Sequence, residues 1–243
     1  VKNILISTII RNRKNFLHNW YEQIKSIVAL DKQNNYYLSV YENDSTDGTQ
    51  DILKNLDFSF FSDFNIKLEI LNTPSFGSVV NEERVKLLSE ARNQTIYNNK
   101  LLEKCSHILV VEPDVKYEPK TLIDNIINNG DYDIISPRSV EINDDKHHYL
   151  YDDWGTRQNP DSRSWHIFNP IILRNLGLIN VWTTFNCFCF YKSEPFKRFL
   201  TFGYFNERFN TFDCDTAVVC ENFRKYGYSN IVLNSSVEVY HSR

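Results

Sequence analysis

Short apolar runs rich in β-branched residues alternate along this chain with amphipathic segments of helical period. That alternation limits the fold more than any other feature. "NILISTII" (3–10) has no polar alternation, as expected of a strand buried on both faces. "KNFLHNWYEQIKSIVAL" follows, with Phe16, Trp20, Ile24, Ile27 and Val28 on one helical face. The pattern then repeats. "NYYLSVY" (35–41), "NIKLEIL" (65–71), "HILVVEPD" (107–114) and "DYDIISP" (131–137) read as strands. Thr49–Leu56, "NEERVKLLSEARNQTIYNN" (81–99) and "PKTLIDNIINNG" (119–130) read as helices. Asp47 is the expected N-cap of the Thr49 helix, and Gly130 the expected end of the last one. Strands alternating with helices predict an α/β fold: a mostly parallel, twisted sheet with helices on both faces. Ligands of such sheets bind outside the carboxyl ends of the strands.

From 138 to 180 the alternation fails, and a polar, aromatic stretch centred on "YDDWGTRQNPDSRSW" takes its place. Long irregular segments in compact domains usually carry function. "VWTTFNCFCFYKS" (181–193) resumes strand character, "DTAVVCENFRKYGY" reads as a helix, and "NIVLN" and "VEVYH" read as two closing strands. We expect a single domain over 1–243. Residues 1–137 form a nucleotide-binding half and 138–243 an acceptor-binding half.

Composition excludes several classes. With 42% hydrophobic and 14% aromatic residues in 243, the chain can bury a sizeable core. A net charge of −4 without a Lys/Arg stripe makes nucleic acid a poor partner. No apolar run approaches the ~20 residues of a membrane span. The five cysteines form no paired CxxC spacing and read as buried thiols, which favours a reducing compartment. Three N-x-S/T sequences, at Asn43, Asn93 and Asn234, are expected by chance in so Asn-rich a chain.

Chemistry collects at strand ends. Glu112 and Asp114 are two apart after "LVV" and share a strand face. Two carboxylates so placed repel unless a cation intervenes, and a divalent metal shared with a diphosphate suits them; a solvated turn is the plain alternative. Glu42 and Asp44 in "YENDSTDGT" share a face likewise. They could accept from a ribose hydroxyl or a base N–H, whereas Asp47 suits a turn and cap. Arg84 and Arg92 are eight apart on one helix, roughly 80° from each other, and with Asn93 could meet a diphosphate. Asp213 and Asp215 in "FNTFDCDTAVV" open a helix, where carboxylates act as caps; the functional reading sets one of them at a reacting sugar. His241 in "VEVYHS" could add an imidazole to an oxygen-rich site, which would suit Mn²⁺.

"ISTIIRN", "YENDSTDGT" and "VVEPDV", in this order, resemble the first strand, second strand end and DxD-type metal motif of a GT-A nucleotide-sugar glycosyltransferase. "ERVKLLSEARNQTI", "YDDWGTRQ", "VWTTFNCFCFYKSEPF" and "DCDTAVVCENFRKYGYSNIVLNSSVEVYHS" narrow the resemblance to the fungal capsule α-1,3-mannosyltransferase family. It implies a GT-A fold and transfer of a sugar, mannose with retention, from a nucleotide-sugar donor to a glycan acceptor. The implied cofactor is Mn²⁺ or Mg²⁺, and the donor GDP-mannose or a UDP-sugar. Thr8, Arg11, Glu42, Asp44, Arg84, Arg92 and Asn93 would then hold the nucleotide. Glu112, Asp114 and His241 would hold the metal. Asp152, Asp153, Trp154, Arg157, Trp182 and Asn186 would line the sugar and acceptor side, and Asp213 and Asp215 would do the chemistry. The Glu at 112 departs from the family's usual Asp or Asn, and bears on metal geometry. Three other readings stay open: an inverting UDP-sugar transferase with an Asp general base, a metal-dependent phosphohydrolase, and a non-catalytic nucleotide- or carbohydrate-binding module. As written, the chain is expected to be soluble and cytoplasmic, or a Golgi-lumen protein if an N-terminal anchor has been removed.

Overall fold

The computed structural model describes residues 1–77, 79–142, 148–163 and 176–242. Strand β1 (Asn3–Ile10) is central, with Ile4, Leu5 and Ile6 inaccessible. Helix α1 (Lys14–Leu30) buries Leu17, Trp20, Ile24 and Ile27, the spacing of one helical face. Then come β2 (Asn35–Asn43), α2 (Thr49–Asn55), β3 (Asp63–Glu69), α3 (Glu82–Tyr97), α4 (Leu101–Lys104), β4 (His107–Val111) and β5 (Val115–Lys116). Helix α5 (Pro119–Leu122) has Pro119 in its first turn and runs on into a π-helical turn, Ile123–Ile127. The second half contains β6 (Ile134–Ile142), β7 (His148–Leu150), β8 (Leu178–Asn180), β9 (Phe188–Lys192), α6 (Glu194–Lys197), β10 (Phe205–Asn206), β11 (Thr211–Phe212), α7 (Asp215–Lys225) and β12 (Ile231–His241).

One sheet runs in the order β3-β2-β1-β4-β9-β6-β12-β5; β7 adds to β6 and β8 to β12. Two apolar layers cover its faces. Ile4, Ile6, Leu38, Val40 and Leu109 face α1, α2 and α5. Leu5, Ile108, Val110, Cys189 and Tyr191 face α4 and α7, where Phe223 is fully buried. All five cysteines are buried and free.

The expected parallel sheet holds for β3, β2, β1 and β4. Beyond β4 it becomes mixed: β9 is antiparallel to both β4 and β6, while β6 and β12 are parallel. The break in helix-strand alternation after residue 138 is this change of pattern seen from the sequence. Three further expectations shift. "NIVLN" and "VEVYH" are one strand, β12, with a bulge between Asn234 and Glu238. Gly48, in the left-handed region at φ +90°, is the N-cap of α2. Asp47, one residue earlier, accepts from Thr49 N (3.0 Å) and Thr49 Oγ1 (2.6 Å), and also from Lys14 N at the start of α1 (3.0 Å). The proposed division at 137/138 falls inside β6, so the two halves share a strand.

Candidate active site

The carboxyl ends of β1, β2 and β3 open into a cavity of about 580 Å³. Helix α3 walls it with Leu87, Leu88 and Ala91, the segment 71–77 walls it with Thr73 and Phe76, and Glu112 and Pro113 close it at the end of β4. This is where a parallel sheet accepts a ligand.

Asp44 builds one wall rather than offering itself to a ligand. It sits at φ +60° and accepts from Leu71 N (2.6 Å), Asn72 N (2.8 Å), Thr73 N (3.0 Å) and Thr73 Oγ1 (2.6 Å). Burial alone would raise its pKa. The hydrogen bonds from Thr73, Asn72 and Leu71 outweigh burial and hold it well below the usual carboxylate range. Asp44→Ala should therefore free the 71–73 segment, at a cost of about 1–3 kcal/mol. Hydrogen exchange at the amides of Leu71, Asn72 and Thr73 is the measurement; unchanged protection would remove this role. With a depressed folded pKa, the Asp44 contribution is present above the unfolded carboxylate range and lost as pH falls toward the folded value.

The other expected nucleotide residues divide. Arg11 and Arg84 line the cavity. Arg11 donates to Thr73 O (2.8 Å), Thr73 Oγ1 (3.0 Å) and Pro74 O (3.1 Å), and Arg84 to Gly77 O (3.0 Å), so both tie down the same wall. Glu42 is inaccessible and turns its Oε1 to Ser45 N (2.9 Å). Thr8 is inaccessible too. Asn93 clamps the Phe202 backbone from both sides, accepting from its N–H and donating to its carbonyl, each at 2.9 Å. Glu42, Thr8 and Asn93 are thus parts of the frame. Glu42 Oε1 and Asn93 are taken up by backbone, whereas Thr8 Oγ1 and Glu42 Oε2 are buried without a hydrogen-bond partner.

Arg92 lies at the centre of a buried ion cluster. Its Nε is 2.6 Å from Asp215 Oδ2 and its Nη1 2.7 Å from Glu112 Oε1. Its guanidinium also packs over the Phe185 ring at 4.7 Å. Burial would lower the Arg92 pKa, but the charges of Glu112 and Asp215 outweigh it and raise it. For Glu112 burial dominates and raises the pKa, with Arg92 opposing. Glu112 is therefore drawn to Arg92, and Arg92 to two carboxylates rather than to an open phosphate site.

Asp114 faces other groups: Arg13 Nε at 3.0 Å and His241 Nε2 at 3.6 Å. Strand β12 delivers His241 there because its far end pairs with β5, His241 opposite Val115. The Tyr151 ring stacks on the imidazole, centroids 3.7 Å apart. Burial would raise the Asp114 pKa, but His241 and Arg13 together pull it down. The pair fits a divalent cation. The 3.6 Å between Asp114 Oδ2 and His241 Nε2 is close to the roughly 3 Å between two ligands of one metal, while Arg13 Nε holds the same carboxylate oxygen at 3.0 Å. Among the described residues no group of three or more His, Cys, Asp and Glu is gathered for a metal. Asp114 and His241 would thus supply two ligands, with phosphate and water completing the shell.

The 152–157 loop is tied inward. Asp152 accepts from Asn186 N (2.8 Å) and Gly155 N (3.2 Å), yet burial outweighs both bonds and pushes its pKa up to about 6. Gly155 is required: a Cβ there would stand 2.6 Å from Asp152 Oδ2 and 2.9 Å from Thr216 Oγ1. Arg157 is inaccessible and grips Asp213 with two bonds, Nη1 to Oδ2 at 2.8 Å and Nη2 to Oδ1 at 2.6 Å. Asn206 Nδ2 and Cys214 N also donate to Asp213, each at 2.8 Å. With 0% exposure, Asp213 is enclosed and not presented to a reacting sugar. Arg157 likewise does not line the cleft. Asn186, at φ +57°, is a buried hub that donates to Thr156 Oγ1 and accepts from Ser139 N, each at 3.0 Å. Trp182 donates to Glu221 Oε1 (2.6 Å) and carries Arg224 4.0 Å over its ring, placing it against α7. Asp153 is exposed and Trp154 half-buried, the Trp154 carbonyl accepting from Arg157. Sequence reasoning assigned no role to Arg13, to Tyr151 or to the polar group Lys67, Glu69 and Gln94 inside the cavity, although Tyr151 and Gln94 lie in the stretches that carry the resemblance.

A parallel run β3-β2-β1-β4, a mixed run beyond β4 and a cavity ending at an acidic strand end are features of a GT-A glycosyltransferase fold. The family model described as Cryptococcal mannosyltransferase 1 matches residues 3–198, and the chain belongs to that family. Solved structures agree on the fold. TarS residues 1–349 from S. aureus, in complex with UDP-GlcNAc, is 15% identical with a TM-score of 0.56, covering 100% of this chain and 59% of that one. The mannosyltransferase PcManGT from Pyrobaculum calidifontis, in complex with GDP-Man and Mn²⁺, is 12% identical with a TM-score of 0.59, covering 99% and 56%. GalNAc-T7 with UDP, GalNAc and Mn²⁺ is 12% identical with a TM-score of 0.56, covering 100% and 44%. The chain thus spans less than two thirds of the length of each. No curated protein sequence matches it. No helix among the described residues is long and apolar enough to cross a membrane.

Proposed function

We propose that the chain transfers a hexose, mannose from GDP-mannose, to a hydroxyl of a glycan acceptor with retention and with a divalent metal. The single observation that carries this reading is the cavity itself. It crosses the carboxyl ends of β1–β3 and ends at Glu112, beside the Asp114–His241 pair. The donor's nucleotide would lie along the cavity, and its diphosphate would reach the β4 end. A bound divalent cation would neutralise charge on the diphosphate leaving group. Arg13 would be free to turn from Asp114 to a phosphate, being 41% exposed on its side chain. Of the two aspartates we assign Asp215 to the sugar side: it is 4% exposed against 0% for Asp213, and Arg92 holds its carboxylate. The enclosure of Asp213 weighs against an inverting enzyme that uses it as general base. The five buried free cysteines support a reducing compartment.

The test is a thermal-shift screen of GDP-mannose and UDP-sugars with and without Mn²⁺, followed by a transfer assay on glycan acceptors. A ligand at 100 times its Kd adds about 2.7 kcal/mol of stability. Asp114→Asn should abolish the Mn²⁺-dependent part of that shift and leave the unliganded transition near wild type. An undiminished Mn²⁺ effect would take Asp114 out of the metal site. Donor consumption at one rate with or without acceptor would mark a hydrolase instead.

A further inference from the structure

We infer that the nucleobase is read as guanine by Glu69 and Lys67 at the β3 end of the cavity. This rests on the nucleotide-sugar reading of the same cavity. The cavity runs from Glu112 at the end of β4 to Lys67 and Glu69 on β3. Strands β4, β1, β2 and β3 are consecutive neighbours, so the two ends are three inter-strand spacings apart, about 14 Å. That is the reach of an extended nucleoside diphosphate. If the diphosphate lies at the β4 end, the base arrives at β3.

The group waiting there has a defined polarity. Lys67 and Glu69 are two apart and share the sheet face of Tyr41, which pairs with Lys67 in register. Tyr41 OH donates to Glu69 Oε2 at 2.8 Å, and Lys67 Nζ lies 2.9 Å from Glu69 Oε1. Lys67 Nζ also donates to Gln94 Oε1 at 2.9 Å. A carboxylate has about four acceptor sites and an ammonium three donors. Glu69 therefore keeps one acceptor site on each oxygen, and Lys67 keeps one donor. The set offers acceptor, acceptor, donor. The Watson–Crick edge of guanine is its complement: the N2 amino and N1–H donate, and O6 accepts. Uracil presents one donor between two carbonyls, and one of those carbonyls would face the carboxylate. Adenine pairs one donor with an unprotonated ring nitrogen, which the carboxylate would likewise repel. Leu87, Leu88 and Ala91 of α3 supply apolar wall for the flat faces of a base. Lys67 and Glu69 are each about one-third exposed, so both can still meet a ligand.

The decisive measurement is the affinity of the 243-residue protein for free GDP, IDP and UDP in the presence of Mn²⁺, by calorimetry. IDP lacks only the N2 amino group. GDP is expected to bind tightest. IDP should be weaker by about tenfold or more, the worth of one hydrogen bond to a charged acceptor. Glu69→Gln puts an amide N–H against the base donors and should lower GDP affinity by roughly 10- to 100-fold, while UDP, relieved of the carboxylate facing its carbonyl, should not bind more weakly. Equal binding of GDP and IDP, or UDP tighter than GDP, overturns the base assignment and leaves the nucleotide reading intact. If none of the three binds, the nucleotide reading falls and this inference with it. The wild-type comparison needs no variant, so a folding defect in Glu69→Gln does not blunt the test.

Discussion

Arg157→Leu is expected to lower the stability of the chain by about 3–5 kcal/mol, a large share of the roughly 5–15 kcal/mol typical of a folded protein. Both Arg157 and Asp213 have no accessible side chain, and their two bonds of 2.6 and 2.8 Å are the geometry in which guanidinium and carboxylate fit best. Taking away the cation leaves a buried carboxylate served by Asn206, the Cys214 amide and, at 3.9 Å, the half-exposed Arg163 guanidinium. The cost arises chiefly from that stranded charge, not from the bond alone. The double variant Arg157→Leu/Asp213→Leu should therefore be more stable than Arg157→Leu, because no charge is stranded. Urea unfolding of the three proteins gives the comparison. If Arg157→Leu unfolds within 1 kcal/mol of wild type, the pair is not a pillar of this half.

Asp215→Asn should cost roughly two to four powers of ten in turnover while moving stability little. The asparagine oxygen can still accept from Arg92 Nε, which now lies 2.6 Å from Asp215 Oδ2. Asp215 is the first residue of α7, after the N-cap Cys214, and its side chain makes no cap bond, so no cap is lost. Shape and packing are kept, and the negative charge is what goes. A positive centre forming at the sugar would then lose its nearest fixed countercharge on this helix. The readouts are kcat with donor and acceptor saturating, and the melting temperature. Near wild-type turnover would rule Asp215 out. A large drop in melting temperature with unchanged turnover would make it a framework residue like Asp213.

Where the sequence pattern was pure, the structure follows it closely. Residues 3–10 have no competing period, and β1 has those bounds. Residues 14–30 hold one helical stripe with no Gly or Pro, and α1 has those bounds. Legibility fails for the charged residues, for a physical reason. A carboxylate beside a strand end looks the same in sequence whether it awaits a ligand or a backbone N–H some 28 residues on, as Asp44 meets Asn72. Asp213 could not be told from Asp215 because its partner, Arg157, lies 56 residues away. The mixed half was illegible because β9 enters between β4 and β6, an order that no local pattern specifies. His241 was read from the sequence only as a lone imidazole that could join an acidic site; its meeting with Asp114 depends on the pairing of β5 with β12.

The strand order has a practical corollary for taking the molecule apart. Strand β9 is laid between β4 and β6, β5 crosses over to pair with β12, and residue 137 lies inside β6. Cutting the polypeptide between 137 and 138 would sever a strand, not a hinge. Either fragment made alone would present raw sheet edges, the surfaces on which chains self-associate. The two pieces produced together should instead find each other and rebuild the sheet, as interlocking fragments do. The cavity and the 152–157 loop thus belong to one continuous sheet. A hinge between two separately swinging lobes is not what this strand order provides.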